Sequence, residues 1–180
     1  MTSPHPPHGH AAPHWLRQFV LPRLTWPFLL RLALVAAGAW WLFSTLCIPA
    51  YVNGDSMLPT FRTGQLLLCW TPAFRNHPPK PGDIVMIAYS GHDVMLLKRV
   101  LATEGETVAF ANGQLLVNGQ PRHEPWLPPN AACDWNRPPE TVRPGHAFVA
   151  GDNRTMPLAE HLHGQVSLDD IIGQPLGHRQ

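Results

Sequence analysis

The chain has 180 residues, enough for one ordinary domain plus appendages. Apolar residues make up 44% and charged residues 14%, a low charge fraction for a freely soluble domain, and a net charge of +1 gives no basic field for nucleic acid. The 21 prolines favour short strands and loops over long helices, and three cysteines without CxxC spacing argue against a zinc site.

In chain order, residues 1–25 read as a disordered Pro/His-rich tail whose histidines are solvated rather than metal-binding. From Leu32 to Ile48 there is no charge, and extension to Val52 gives 21 residues, enough to cross a bilayer as a helix. Residues 26–51 are accordingly assigned as a transmembrane helix. A cleaved signal peptide would have a shorter apolar region and a small-residue cleavage site, whereas this run carries Trp40 and Trp41 in its middle. Arg17, Arg23 and Arg31 precede the span and Arg62 follows it. The positive-inside rule then leaves the N-terminus cytoplasmic and exports residues 52–180.

The exported part reads as a mainly β, compact antiparallel domain. Gln65–Trp70, Asp83–Tyr89, Val94–Ala102, Thr107–Phe110, Gln114–Val117 and His146–Ala150 are short apolar or alternating runs, and Ile171-Ile172 suits a last short strand. Pro81-Gly82, Asn112-Gly113 and Asn118-Gly119 mark turns, and Asn112-Gly113 predicts a hairpin. Residues 121–144 hold seven prolines and read as a long ordered loop. Trp70, Trp126 and Trp135 are candidates to dip into a membrane interface. Cys69 and Cys133 can form a disulfide in an oxidising compartment, but sequence does not supply the geometry.

Two residues carry the chemical reading. Ser56 lies in Asn53-Gly54-Asp55-Ser56-Met57-Leu58-Pro59, a turn just beyond the span. On its own Gly-Asp-Ser is common turn chemistry. A serine nucleophile needs a base, and no histidine stands in a triad pattern. Of the two lysines, Lys80 lies between prolines, whereas Lys98 lies inside the apolar run Val94–Leu101. Alternation puts Lys98 on one face with Val94, Leu96 and Val100, with Arg99 on the other. Desolvation there would lower its pKa and leave an amine able to take the Ser56 proton. The competing reading is an edge-strand lysine that blocks aggregation.

VNGDSMLPTF, LLKRVLATEGE and VAGDNRTMP, in that order behind a membrane anchor, resemble the type I signal peptidase family over roughly residues 30–176. The resemblance implies a β catalytic domain with a Ser–Lys dyad. Ser56 would be the nucleophile and Lys98 the general base. Met57 would line the substrate cleft, with Gly54, Pro59, Arg99, Gly151, Asp152 and Asn153 as binding or supporting residues. No cofactor or metal is implied. The implied setting is a bacterial inner membrane, with the catalytic domain on the extracytoplasmic side. The implied partners are the bilayer and membrane-tethered preproteins with signal peptides. Two departures stand out. Gly54 occupies a position where some members carry an oxyanion-holding serine. In place of the usual Ser-Asp-Ser-Arg stretch the chain reads Arg154–Val166, with Glu160 and His161 where Ser-Arg would fall. Glu160 is then a candidate to orient Lys98. The alternatives are a pilin-maturation peptidase of the same dyad type and an inactive protein that binds preproteins.

Overall fold

The computed structural model describes residues 25–89, 94–129 and 131–177. The tail expected over 1–25 lies outside these residues except for Thr25.

Helix α1 runs Trp26–Leu46. Its Leu- and Ala-rich sequence is strongly helix-forming, and Pro27 is tolerated in the first turn. None of its residues is buried; Trp26, Leu34, Val35 and Trp40 are all exposed. At 21 residues it extends roughly 30 Å, the thickness of a bilayer core. The helix stops at Leu46, short of residue 51. Pro49 cannot donate to a helical ladder and disfavours helix at Ile48. Cys47–Tyr51 instead forms strand β1, paired antiparallel with β2 from Cys47↔Trp70 to Tyr51↔Leu66.

The β domain contains β2 (Leu66–Trp70), β3 (Ile84–Tyr89), β4 (Val94–Thr103), β5 (Thr107–Ala111), β6 (Gln114–Val117), β7 (Gln120–Pro121), β8 (Arg137–Thr141), β9 (His146–Ala150), β10 (Gly164–Ser167) and β11 (Ile171–Pro175). Two antiparallel sheets form, ordered β1-β2-β11-β3-β4-β9-β10 and β7-β6-β5-β8. The expected hairpin is present: Asn112 and Gly113 both have positive φ (50° and 78°), as a two-residue turn between right-twisted strands requires.

The central strands are covered on both faces. On β3, Ile84 and Met86 join a cluster with Met57, Phe61, Leu67 and Cys69, whereas Val85 and Ile87 join another with Val100, Ala147 and Val149. On β9, Phe148 and Ala150 enter a third cluster that fills the small sheet with Phe110, Leu115 and Trp135. Each such strand therefore reads as a continuous apolar run.

The segment 121–144 is not loop throughout. Arg137–Thr141 pairs with β5 despite Pro138 and Pro139, because β8 is an edge strand and its register shifts opposite Val108–Phe110. Within the same segment, Trp135 lies beside the Asn112-Gly113 hairpin, where the Gly113 N–H donates to the Trp135 carbonyl at 2.9 Å. Trp135 is buried in the third cluster, which removes it from the residues able to reach a membrane interface. Cys69 and Cys133 belong to different clusters, and all three cysteines are free thiols, so the disulfide does not form.

Candidate active site

Residues of β1, β2, β3 and β4 line the cleft beside the turn that carries Ser56. β1 delivers the chain to residues 52–61, which cross between strands and anchor through buried Met57 and Phe61. The turn is closed by Leu58 N–H to the Asp55 carbonyl (3.1 Å) and by Thr63 Oγ1 to Asp55 Oδ1 (2.9 Å). Asp55 is thus a turn residue, exposed to solvent. Gly54 has φ +96°, a conformation side chains rarely adopt, so no hydroxyl-bearing residue fits here without strain.

Lys98 projects from β4 with its Nζ 2.6 Å from Ser56 Oγ. It is 3% exposed, and Arg99 beside it is 1% exposed. Arg99 does occupy the opposite face, but that face is buried too. Burial pulls the Lys98 amine down to about 8, and the Asp152 carboxylate partly opposes that shift.

Asp152 is the hub of the support. It receives Arg99 Nε at 2.8 Å and Nη2 at 2.7 Å, and Thr60 Oγ1 at 2.5 Å. Arg99 also donates to the Gly82 carbonyl at 2.6 Å and lies 4.6 Å from the Trp126 ring centre. Such a desolvated pair fixes geometry more than it adds stability. Asn153 binds the nucleophile turn directly: its N–H donates to the Ser56 carbonyl and its Nδ2 to the Asp55 carbonyl, each at 3.0 Å. Gly151 lies so close to that turn that a Cβ would overlap the Ser56 carbonyl oxygen.

The structure thus brings together Ser56, Lys98, Met57, Gly151, Asp152, Asn153 and Arg99. Pro59 is exposed and lies outside the cleft lining. The cleft is lined by Tyr51, Gly54, Met57, Leu67, Met86, Met95 and Leu97 together with Ser56 and Lys98. Glu160 is solvent-exposed, so it is not the residue that orients Lys98. His161 is buried instead, and its Nε2 accepts the Gly151 N–H at 2.6 Å. Arg154 is the other support that sequence reasoning missed. It donates Nε to the Gly151 carbonyl at 3.0 Å, forms an ion pair with Glu124, and stacks on Trp135 and Phe110. A charged residue directly after Gly-Asp-Asn was a signal; its partner Glu124, 30 residues upstream, had none.

A serine hydroxyl against a buried lysine amine, in an apolar-lined cleft of a β scaffold, can perform acyl transfer as a lysine-based serine hydrolase does. Comparison with known proteins narrows the class. The signal peptidase family, peptidase S26, matches residues 24–176. Signal peptidase I-1 of Synechocystis, so named as probable, is 36% identical over 71% of this chain and 68% of its own. Signal peptidase I of Leptolyngbya laminosa is 33% identical over 69% and 64%, and that of Bacillus caldolyticus 29% over 83% and 86%. This chain thus spans about two thirds of the first two relatives. A crystal structure of a signal peptidase I from Enterococcus faecalis V583 aligns with a TM-score of 0.44 and 25% identity, over 53% of this chain and 95% of that one. The chain belongs to the type I signal peptidase family, whose members are serine endopeptidases.

Proposed function

We propose that this chain is a membrane-anchored serine endopeptidase that removes signal peptides from exported preproteins, with Ser56 as nucleophile and Lys98 as base. The observation that carries the reading is the 2.6 Å approach of Lys98 Nζ to Ser56 Oγ in a buried setting. Neutral Lys98 takes the hydroxyl proton as Ser56 Oγ attacks the scissile carbonyl. The Ser56 N–H is the donor assigned to the developing oxyanion. The resulting ammonium returns its proton to the leaving amine, and an acyl-enzyme remains. Lys98, neutral again, activates the water that releases the acyl group.

The anchor is α1, with the N-terminus cytoplasmic and the β domain on the extracytoplasmic side. An anchor confines enzyme and membrane-tethered substrate to one surface, and exposed Tyr51 and Met95 at the cleft rim suit an apolar substrate segment. The intact pair argues against an inactive preprotein-binding protein. The test is cleavage of a preprotein in detergent by wild type, Ser56→Ala and Lys98→Ala. Loss in both variants is expected; persistent cleavage by either removes the dyad.

A further inference from the structure

His161 is a buried titratable group that the proton transfers above do not use. It follows the short turn Leu158–Glu160 and is 3% exposed. Because its Nε2 accepts the Gly151 N–H, the ring proton of the neutral form resides on Nδ1. Nδ1 is buried with no hydrogen-bond partner among the described residues. The imidazole lies 4.7 Å from Trp135, centroid to centroid. A Cβ on Gly151 would strike this ring as well as the Ser56 carbonyl oxygen. Imidazole, Gly151 and the Ser56 carbonyl are therefore in serial contact with no spare space. Asn153, two residues beyond Gly151, closes the circuit by donating to that same carbonyl.

We propose that His161 is a positioning residue: as a neutral imidazole protonated at Nδ1, it seats the Gly151 peptide against the Ser56 carbonyl and so fixes the Ser56 hydroxyl at the Lys98 amine. The inference rests on the Ser56–Lys98 reading above. It depends on neutrality, because an imidazolium would set its Nε2–H against the Gly151 N–H, donor against donor. The surroundings enforce that state. Burial first, and then the neighbouring Lys98, His163 and Arg154, bring His161 down to about 3. The ring fills a place that solvent does not reach, so side-chain bulk and hydrogen-bond acceptance must be separated experimentally.

The experiment uses the full chain in detergent. His161→Leu keeps bulk without an acceptor; His161→Gln restores an acceptor oxygen at similar reach. The expected result is a fall in kcat of about tenfold for His161→Leu on a signal-peptide substrate, as loss of one buried hydrogen bond implies. KM should stay within about twofold, and His161→Gln should recover most of the loss. Histidine 15N NMR of the wild type should show one neutral Nδ1–H ring that does not titrate between pH 5 and 8. Wild-type kcat in a folded His161→Leu, no recovery in a folded His161→Gln, or an Nε2–H or titrating ring would each overturn the proposal. If His161→Leu does not fold, His161→Gln and the NMR tautomer decide. Absence of Ser56-dependent cleavage in the wild type would instead remove the dyad reading, and with it the proposed link to Lys98.

Discussion

Lys98 reaches Ser56 from a strand whose opposite faces are both buried, so the amine is dry where it meets the hydroxyl. A dry amine titrates early. With its pKa at about 8, kcat/KM should rise about tenfold per pH unit below that value and level off above it. A profile from pH 6 to 10 on a soluble peptide checks this, and a flat response rules out a titrating lysine base.

The same burial has a cost in stability, and its pH window has a definite sign. Below about 8 both folded and unfolded chains hold the Lys98 proton, and the desolvation cost is fully present. Between about 8 and the ordinary 10.5 the unfolded chain keeps a proton that the folded chain has released, so stability rises with pH. Lys98→Met should therefore abolish cleavage yet stabilise the fold at pH 7 by about 1–3 kcal/mol. Urea unfolding of both proteins measures the difference; a less stable Lys98→Met would mean that burial is not what lowers the amine.

Asp152 bears on both the Lys98 amine and the stability of the fold. Its carboxylate favours the charged lysine and pairs with Arg99. Asp152→Asn should move the acid limb of the rate profile to lower pH. It should also destabilise the domain by about 3 kcal/mol, because Arg99 is left buried and unpaired. An unchanged limb would show that Asp152 is electrostatically remote from Lys98.

How much of this was legible in the sequence follows from which contacts are local. Strands with alternating or continuous apolar runs, the Asn112-Gly113 hairpin, and Lys98 in its apolar strand were readable because local periodicity and turn chemistry encode them. β8 was not, since Pro138 and Pro139 argue against a strand unless it is known to lie at an edge. β1 was hidden because its apolar residues continue those of α1, and only pairing with β2 separates them. Alternation placed Arg99 on the face opposite Lys98, but nothing local reveals that a second layer buries that face as well. The Arg154–Glu124 pair spans 30 residues and the His161–Gly151 contact spans 10 across an irregular loop, and no spacing rule brings such partners together.

Gly151 has a steric rather than a conformational role, since its φ is not in the left-handed region. Gly151→Ala would push a methyl into the Ser56 carbonyl and the His161 ring. Displacement of backbone rather than a flexible side chain should destabilise by about 1–3 kcal/mol and lower kcat at least about tenfold. Steady-state kinetics with a denaturation curve separate the two effects, and wild-type kcat in Gly151→Ala would mean that this contact does not set the nucleophile's position.

The free thiols give a test of the fold that is independent of activity. Cys47 and Cys69 are buried, and burial followed by the neighbouring Cys47 raises Cys69 to about 11. Burial likewise raises Cys133. A thiol reacts through its thiolate, so at pH 7.5 the raised Cys69 and Cys133 should label slowly in the native protein, and Cys47 should label slowly because it is buried. All three should label once the chain is unfolded, with no prior reductant. If β1 were part of a continuous helix to residue 51, Cys47 would lose the partner strand that covers it. Rapid native labelling of Cys47 alone would then return the boundary of α1 to the position the apolar run suggested. Slow labelling of all three, with three thiols counted in denaturant, supports a helix that ends at Leu46 and a strand that begins directly after it.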